Sequence, residues 1–380
     1  MEKKTTILYI ITSSNVGGTE RALLKLIKRL DRTRFDILVC SLKKEGVFAE
    51  KIKEYTDGFY CLELSESGGI KALLNFLPAL ISLFFLVRCT KPDIIHSFLF
   101  RANIIGRLAG RLAGVKNIIS SIRVIEADKP LKHFLDRITS SLVTVYTAVS
   151  EAARKFTIKQ IGLSPDKIIT IQNGIDCSLA ERTFSGEFKT NKAKVNIGLF
   201  GRLDKQKGHL VLLNAVKKLI SKEKEIQVFF FGEGPYEDSL REIVIQEGLS
   251  EYINLMGTTD NVYSCILQMD IIAIPSYWEG LPNILLESMV LGRPVIAARI
   301  AGITEVVTNN INALLFNSGD EDELSEAIQR LICNRNFADK LGTNARKHVI
   351  KNFPIEKSVQ KTTELYLDLL EKNKALDMGL

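Results

Sequence analysis

The 380-residue sequence contains few of the residues from which metal centres and disulfide frameworks are built. It has six cysteines and four histidines, and no two cysteines form a Cys-x-x-Cys pair. These counts argue against a zinc site or a disulfide scaffold, and reduced, buried thiols are typical of a cytosolic chain. The nearest match to an Asp-x-Asp metal motif, Asp320-Glu321-Asp322, is interpreted as a helix cap.

The sequence also lacks a recognisable targeting segment and any nucleic-acid-binding motif. No small-residue cleavage site follows a long apolar core near the N-terminus, so Ile7 to Ile11 is predicted to be a first strand. The net charge of +7 suits acidic partners. Without a helix-turn-helix, finger or RNP-like motif, sugar-nucleotide phosphates or anionic lipid are favoured over nucleic acid.

One uncharged stretch, residues 72–87, is unusual in this sequence. It is shorter than the roughly 20 apolar residues that a membrane-spanning helix needs, and Pro78 is expected to kink it. Two interpretations remain open, a buried helix packed on a sheet and an interfacial helix that contacts a membrane through 72–88. A full membrane span is the least favoured of the three.

Both halves of the sequence alternate apolar β-branched runs, glycine-rich turns and amphipathic helices. Such alternation predicts an α/β protein with two Rossmann-like parallel-sheet domains that face a central cleft. The predicted organisation is a first domain at 1–177, a polar linker at 178–194, a second domain at 195–352 and a final helix at 353–380.

Two cations follow the first predicted strand of the second half. Arg202 and Lys207 lie among glycines in the sequence Gly201-Arg-Leu-Asp-Lys-Gln-Lys-Gly208. Arginine offers a planar fork of donors and lysine a mobile point charge, so together they are suited to a diphosphate. The alternative is a pair of ordinary surface charges, but an open α/β sheet places its ligand at this kind of turn.

Two carboxylates, Glu279 and Glu287, lie within a predicted strand–loop–helix–strand unit. A phosphate would be repelled by them, so they are expected to bind hydroxyl groups, as a sugar and a ribose would supply. The alternative for this spacing alone is two solvated helix glutamates. The sequence between and after them reads GLPNILL and GRPVIAARIAGITE.

These motifs resemble the signature of retaining glycosyltransferases of family 4, which have the GT-B fold. The resemblance extends over nearly the whole chain, including a GR-x5-G segment and an Asn173-Gly174-x-Asp176 turn. It implies a last helix that crosses back onto the first domain. It also implies transfer of a sugar from a nucleotide-sugar to an acceptor hydroxyl with retention of anomeric configuration.

The resemblance assigns roles to residues of this sequence. Arg202 and Lys207 would bind the diphosphate, Glu279 the donor sugar and Glu287 the ribose, with Arg202, Lys207 and Glu279 as the catalytic set. The other donor-binding residues it implies are Gly17, Gly18, Gly232, Gly234, Val262, Gly280, Leu281 and Asn283.

The sequence departs from the family pattern at Arg123, which occupies the place of a sugar-facing histidine. His96 is a second candidate for a sugar or acceptor contact, although a lone histidine is more often structural. A cation at Arg123 is still able to bind a hydroxyl or a phosphate.

The resulting expectation is a cytoplasmic hexosyltransferase-type enzyme, either free or at the inner face of the membrane. The expected co-substrate is a nucleotide-sugar, with UDP-sugar favoured, and neither a cofactor nor a metal is expected. The acceptor would be a glycan or a lipid-linked glycan of a cell-surface polysaccharide. The alternatives are a sugar-nucleotide epimerase and a catalytically degenerate scaffold protein; an incomplete glycine fingerprint disfavours a dehydrogenase.

Overall fold

The computed structural model describes residues 4–64, 70–126, 129–182, 190–191, 194–220 and 225–377, without the side chains of 70–75, 376 and 377. The chain divides into two compact units. Unit 1 comprises Met1–Asn173 and Ile355–Leu380, and unit 2 comprises Gly174–Pro354. Much of the predicted linker at 178–194 lies outside the described residues.

Unit 1 contains a seven-stranded parallel sheet. Its strands are β1 Thr5–Ile11, β2 Phe35–Ser41, β3 Gly58–Cys61, β4 Ile94–Phe98, β5 Asn117–Ile122, β6 Val145–Ala148 and β7 Ile168–Thr170. Their spatial order is β3-β2-β1-β4-β5-β6-β7. The central strands are runs of apolar and β-branched residues because a parallel sheet is covered on both faces. In β1, for example, Ile7 to Ile11 are all fully buried.

Helices cover both faces of this sheet. They are α1 Gly18–Ile27, α2 Ala49–Lys53, α3 Ile70–Thr90, α4 Phe100–Leu112, α5 Pro130–Ile138, α6 Glu151–Thr157 and, from the end of the chain, α14 Ile355–Asp377. One core contains side chains of α1 and α14, and another contains side chains of α3 and α4. The predicted return of the last helix to the first half of the chain is confirmed.

Helix α3 contains the unusual apolar stretch and runs without interruption through Pro78. One side of the helix, with Ala79, Leu83 and Val87, is buried in the core shared with α4. The stretch is therefore a core helix on that side and exposed on the other. Among the described residues, no helix combines the length and the apolar character needed to cross a membrane.

Unit 2 contains a six-stranded parallel sheet. Its strands are β8 Val195–Phe200, β9 Ile226–Phe231, β10 Ile253–Gly257, β11 Ile271–Ile274, β12 Val295–Ala298 and β13 Leu314–Phe316, in the order β10-β9-β8-β11-β12-β13. Its helices are α7 His209–Ile220, α8 Glu237–Gln246, α9 Val262–Leu267, α10 Asn283–Val290, α11 Ala301–Thr304, α12 Glu321–Cys333 and α13 Arg335–Asn352. A large apolar core joins one face of the sheet, with Ile197, Val228 and Ile296, to α7, α8, α12 and α13.

Both sheets reverse their strand order at the first strand of the unit. In unit 1, β1 lies between β2 and β4, and in unit 2, β8 lies between β9 and β11. In open α/β sheets a crevice forms outside the carboxyl ends of the strands at such a reversal, and ligands bind there. The loops that follow these strands are therefore the places to look for a site in each unit.

Candidate functional site

The loops that follow β8 and β11 are packed backbone against backbone in unit 2. Gly208 has a positive φ of 68°, and a Cβ atom there would overlap the carbonyl oxygen of Pro275. Two further bonds join the loops. Tyr277 N–H donates to the carbonyl oxygen of Gln206 at 2.8 Å, and the Gln206 side chain donates to that of Trp278 at 2.8 Å. The contact fixes the relative position of both loops.

This contact brings Lys207 and Glu279 together. Lys207 Nζ lies 2.5 Å from Glu279 Oε1, and the Ser276 hydroxyl donates to the same oxygen at 3.0 Å. The glutamate is only 7% exposed. Since an ammonium group has three donors, Lys207 can hold Glu279 and still donate to an anion. Glu279 Oε2 accepts no hydrogen bond from the described residues, so it is able to accept one from a hydroxyl group.

Arg202 and Glu287 flank this ion pair in the chain but differ in their environments. The Arg202 side chain is 69% exposed, and its Nε lies 3.7 Å from a carboxylate oxygen of Asp204. Glu287 lies on α10 and is only 2% exposed. Arg202 therefore has the freedom to reach a ligand beside the loop, whereas Glu287 is held inside the unit.

The loops after β9 and β10 join the same edge of the sheet. The N–H of Leu203 donates to the carbonyl oxygen of Glu233 at 3.0 Å, and the N–H of Gly232 donates to that of Gly257 at 2.7 Å. Gly234 is so close to Leu203 that a Cβ atom would overlap its carbonyl oxygen. Three consecutive strand ends are thus connected by close backbone contacts.

The loop that contains Gly280 and Leu281 is packed against α11, the short helix that follows β12. A Cβ atom at Gly302 would overlap the carbonyl oxygen of Gly280, and Leu281 is buried. Asn283 is the first residue of α10, and Val262 is the first residue of α9. Two helix starts therefore lie in loops at the carboxyl edge of the unit 2 sheet, and helix N-termini favour anions.

A second group of polar residues lies at the carboxyl edge of the unit 1 sheet. Gly17 is the N-cap of α1, and the carboxylate of Glu20 folds back over it in the space that a Cβ atom would need. Glu20 is only 7% exposed. Burial raises the pKa of Glu20 to about 7, although Arg123 and Lys43 act in the opposite direction. The group is therefore close to its titration point near neutral pH.

Arg123 extends from the end of β5 into this group. Its guanidinium donates to the Asn173 side chain at 2.7 Å and lies 5.7 Å from the centre of the Phe98 ring. Burial lowers the pKa of Arg123 to about 10, which still leaves it cationic at neutral pH. Arg123 and Glu20 together form a charged pair of groups at this edge.

His96 is buried beneath these residues. Its Nδ1 is 2.7 Å from the Tyr366 hydroxyl, and its Nε2 is 2.8 Å from the Ser121 hydroxyl. Burial, and secondarily Arg123, lower the pKa of His96 to about 3, so the ring is neutral. Both ring nitrogens are engaged within unit 1. Among the described residues of the chain, no cluster of three or more His, Cys, Asp or Glu is arranged to hold a metal ion.

Family models match both halves of the chain. The model described as Glycosyltransferase Family 4 matches residues 16–179, and the model described as Glycosyl transferases group 1 matches residues 181–348. Together the two matches extend over unit 1 from residue 16 to its end at Asn173, without β1 or the C-terminal helix, and over nearly all of unit 2. The chain is a family 4 glycosyltransferase.

Similar proteins include two bacterial enzymes that are named as sugar transferases. UDP-Gal:alpha-D-GlcNAc-diphosphoundecaprenol alpha-1,3-galactosyltransferase from Escherichia coli is 26% identical, with 97% of this chain and 98% of that protein aligned. Capsular polysaccharide biosynthesis glycosyltransferase CapM from Staphylococcus aureus is 24% identical, over 80% of this chain and 84% of that one. Both relatives thus align with this glycosyltransferase over most of its length.

A solved structure with the same fold is that of Anabaena Alr3699/HepE in complex with UDP-glucose. It has a TM-score of 0.82 and 20% sequence identity, with 96% of this chain and 99% of that chain covered. At this identity the likeness concerns the fold alone. It supports the predicted GT-B architecture of the glycosyltransferase.

The structure brings some of the predicted site residues of this glycosyltransferase into contact and places others apart. Lys207 and Glu279 form an ion pair, while Arg202 lies on the same loop as Lys207 and Glu287 on the helix after Glu279. Sequence reasoning missed Glu20. An acid in the first turn of a helix that follows Gly-Gly was the available signal, but its raised pKa depends on burial by other elements.

Proposed function

We propose that this glycosyltransferase moves a sugar from a nucleotide-sugar, with UDP-sugar favoured, to a hydroxyl group of a lipid-linked glycan in cell-surface polysaccharide or glycolipid assembly. The observation that carries the proposal is the Lys207–Glu279 ion pair at the carboxyl edge of the unit 2 sheet. Lys207 Nζ, which is suited to binding a diphosphate, lies 2.5 Å from Glu279 Oε1, whose carboxylate is suited to binding hydroxyl groups. A sugar attached to a diphosphate presents these two chemistries side by side.

The donor is expected to lie along the strand ends of unit 2. Lys207 and Arg202 would neutralise the diphosphate together with the helix starts at Val262 and Asn283. Glu279 would accept hydrogen bonds from hydroxyl groups of the donor sugar, and Glu287 would bind the ribose. Additional backbone contacts to the donor are proposed for Gly17, Gly18, Gly232, Gly234, Gly280 and Leu281.

In the proposed reaction, the bond between the anomeric carbon and the diphosphate oxygen breaks while the acceptor oxygen bonds to the same face of that carbon. The acceptor proton passes to the departing phosphate oxygen, so retention needs no separate base. Arg202 and Lys207 stabilise the negative charge that develops on the leaving group, which is the role proposed for a metal-independent enzyme. Arg123 and His96 are proposed to lie on the acceptor side.

The proposed location is the inner face of the cytoplasmic membrane, since a lipid-linked acceptor is held there. The similarity to an Escherichia coli enzyme named for a diphosphoundecaprenol acceptor supports this choice. The exposed side of α3 supports it independently, because it presents the apolar side chains of Leu77, Ile81 and Phe85 and has the exposed Arg88 in its last turn. Contact through residues 72–88 is part of this proposal.

The test compares Lys207→Ala with Lys205→Ala. Lys205 is exposed in the same short turn and makes no contact with Glu279, so it is a matched control for charge. We expect UDP and UDP-sugars to raise the melting temperature of the wild type and the Lys205 variant. Lys207→Ala should lose this effect and lose transfer to a polyprenyl-diphosphate glycan.

The outcomes separate the candidate functions. Equal transfer by the Lys207 variant and the wild type would show that the site assignment is wrong. Release of an altered sugar from donor alone would identify an epimerase, and absence of any nucleotide-sugar binding by calorimetry would identify a scaffold. Addition of a chelator tests the proposed independence from metal.

A further inference from the structure

We propose that the outer surface of α3, α4 and α5 in unit 1 is a docking surface for an anionic lipid bilayer, with α5 as its main contact. This inference rests on the proposed function only in that a lipid-linked acceptor gives the contact a purpose. Helix α5, which local sequence patterns did not predict, has three large exposed apolar side chains next to basic residues.

Exposed apolar side chains are concentrated on these three helices. Seven of the thirteen large apolar residues that are exposed in the described part of the chain belong to them. They are Leu77, Ile81 and Phe85 on α3, Leu112 on α4, and Leu131, Phe134 and Ile138 on α5. Since ordinary surfaces scatter such residues singly, this concentration indicates an interaction surface.

The topology of unit 1 places the three helices on one side of the sheet. The connections β3–α3–β4, β4–α4–β5 and β5–α5–β6 all progress in the same direction along the strand order. Right-handed crossovers therefore put α3, α4 and α5 on the same face, while the opposite direction of β1–α1–β2 puts α1 on the other. α3 packs beside α4, and α4 beside α5. The exposed sides of the three helices thus form one layer.

The orientation of α5 is fixed by its polar residues. Asp136 points inward and receives a hydrogen bond from the buried Arg107 guanidinium at 2.7 Å. Leu131, Phe134 and Ile138 are 69%, 58% and 56% exposed on the other side. A helix in a water-facing layer normally shows the reverse arrangement. α5 cannot roll to bury its apolar stripe without breaking the Arg107–Asp136 ion pair.

The surroundings of this stripe are cationic. Between residues 129 and 162 the sequence has six lysines and arginines and two acids. Both acids are engaged, Asp136 with Arg107 and Glu151 with Arg154, and one of the six cations, Lys132, is paired with Glu126 just before this range. The exposed cations Lys129, Arg137, Lys155 and Lys159 have no ion-pair partner among the described residues.

Helix α6, which contributes Lys155, is connected to α5 by an aromatic contact, and Lys159 lies in the turn that follows α6. The ring centres of His133 on α5 and Phe156 on α6 are 5.6 Å apart. The π-helical turn Ile158–Gly162, which follows α6, also packs beside α5. The cations of both elements therefore lie close to the apolar stripe.

A bilayer with anionic lipid matches this combination better than another protein does. Leucine, phenylalanine and isoleucine side chains enter the boundary between headgroups and acyl chains, and lysine and arginine side chains remain at the headgroups. The same pairing recurs on α3, where the apolar stripe ends beside the exposed Arg88. A protein partner would have to match two separate helices with the same pattern.

The experiment measures co-sedimentation of the full chain with phosphatidylcholine vesicles, with and without phosphatidylglycerol. We expect the wild type to bind only the vesicles that contain phosphatidylglycerol, and to be released by salt. A combined Leu131→Ser, Phe134→Ser and Ile138→Ser variant should bind at least about tenfold more weakly. The matched control is Ile245→Ser, since Ile245 is as exposed as Leu131 but lies on α8 of unit 2.

A charge variant tests the second half of the proposal. Arg137→Gln, Lys155→Gln and Lys159→Gln together should reduce binding by about tenfold or more at low salt and weaken its salt dependence. Lys340→Gln, Lys347→Gln and Lys351→Gln together, at three exposed lysines on α13, form the matched control because they remove the same number of positive charges.

Three results would contradict the inference. Unchanged binding by the triple serine variant would exclude α5 as the contact, and equal binding to pure phosphatidylcholine would exclude charge recognition. A wild type that binds no vesicles but forms a dimer abolished by the serine variant would identify a protein interface instead. The UDP-induced thermal shift is measured in parallel, so failure of donor binding is distinguishable from failure of lipid binding.

Discussion

Glu20 connects a local contact to a measurable pH dependence. Its carboxyl group has an ordinary pKa of 4.5 and a pKa of about 7 in the folded protein, chiefly because it is buried. One pH unit of difference corresponds to about 1.36 kcal/mol, so the change amounts to roughly 3 kcal/mol. The folded protein binds this proton more tightly than the unfolded chain does. The contribution of Glu20 to stability therefore falls as the pH rises from 4.5 to about 7, and stays low above that.

Replacing Glu20 with glutamine removes the titration and keeps the shape of the side chain. We expect the Glu20→Gln variant to match the wild type near about pH 4.5 and to be more stable by roughly 3 kcal/mol at about pH 8. The assay is amide hydrogen exchange in β1 and α1 at both pH values. Fluorescence is unsuitable, because the single tryptophan, Trp278, lies in unit 2.

A control with the opposite sign is available on α2 of the same unit. Lys53 holds the pKa of the exposed Glu50 below its usual value, so Glu50→Gln should not become relatively more stable as the pH rises. If the difference between Glu20→Gln and wild type were the same at both pH values, the burial of a titrating carboxyl group beside Gly17 would be refuted.

Two further predictions concern packing. Gly208→Ala should lower the melting temperature by several degrees and weaken UDP binding, because the added Cβ atom would force the two loops of the unit 2 site apart. The control is Gly248→Ala, at a φ of 66° but with open space around it. It should lower the free energy of unfolding by about 1 kcal/mol and leave UDP binding unchanged. Asp136→Ala leaves the Arg107 charge buried without its partner, so it should destabilise unit 1 by about 3 to 5 kcal/mol. The measurement is urea unfolding followed by circular dichroism. A loss below about 1 kcal/mol would contradict a buried ion pair.

Local sequence patterns predicted the first strand. It was expected at Ile7 to Ile11 and is observed at Thr5–Ile11, because its buried residues form one continuous apolar run. The short strands Gly58–Cys61 and Leu314–Phe316 were not predicted, since three or four residues carry little periodicity. Helix Pro130–Ile138 was also missed, because its apolar residues do not serve a core.

The site was predictable as a set of residues but not as a geometry. Lys207 and Glu279 were each recognised from their motifs, although they are 72 positions apart. Their contact depends on the adjacency of β8 and β11 and on the absence of a side chain at Gly208, which no local pattern contains. The pKa of Glu20 likewise depends on its burial and on the side chains of Arg123 and Lys43, which follow two other strands.

The return of α14 to unit 1 has a consequence for synthesis of the chain. Unit 2 is one continuous segment, Gly174–Pro354, inserted into the polypeptide of unit 1. The hydroxyl group of Tyr366 on α14 contacts both the Tyr9 hydroxyl and His96 Nδ1. Tyr366 is therefore translated long after both of its partners. Synthesis as far as residue 354 therefore completes the sequence of unit 2 but leaves the core of unit 1 without Leu365, Tyr366 and Leu369.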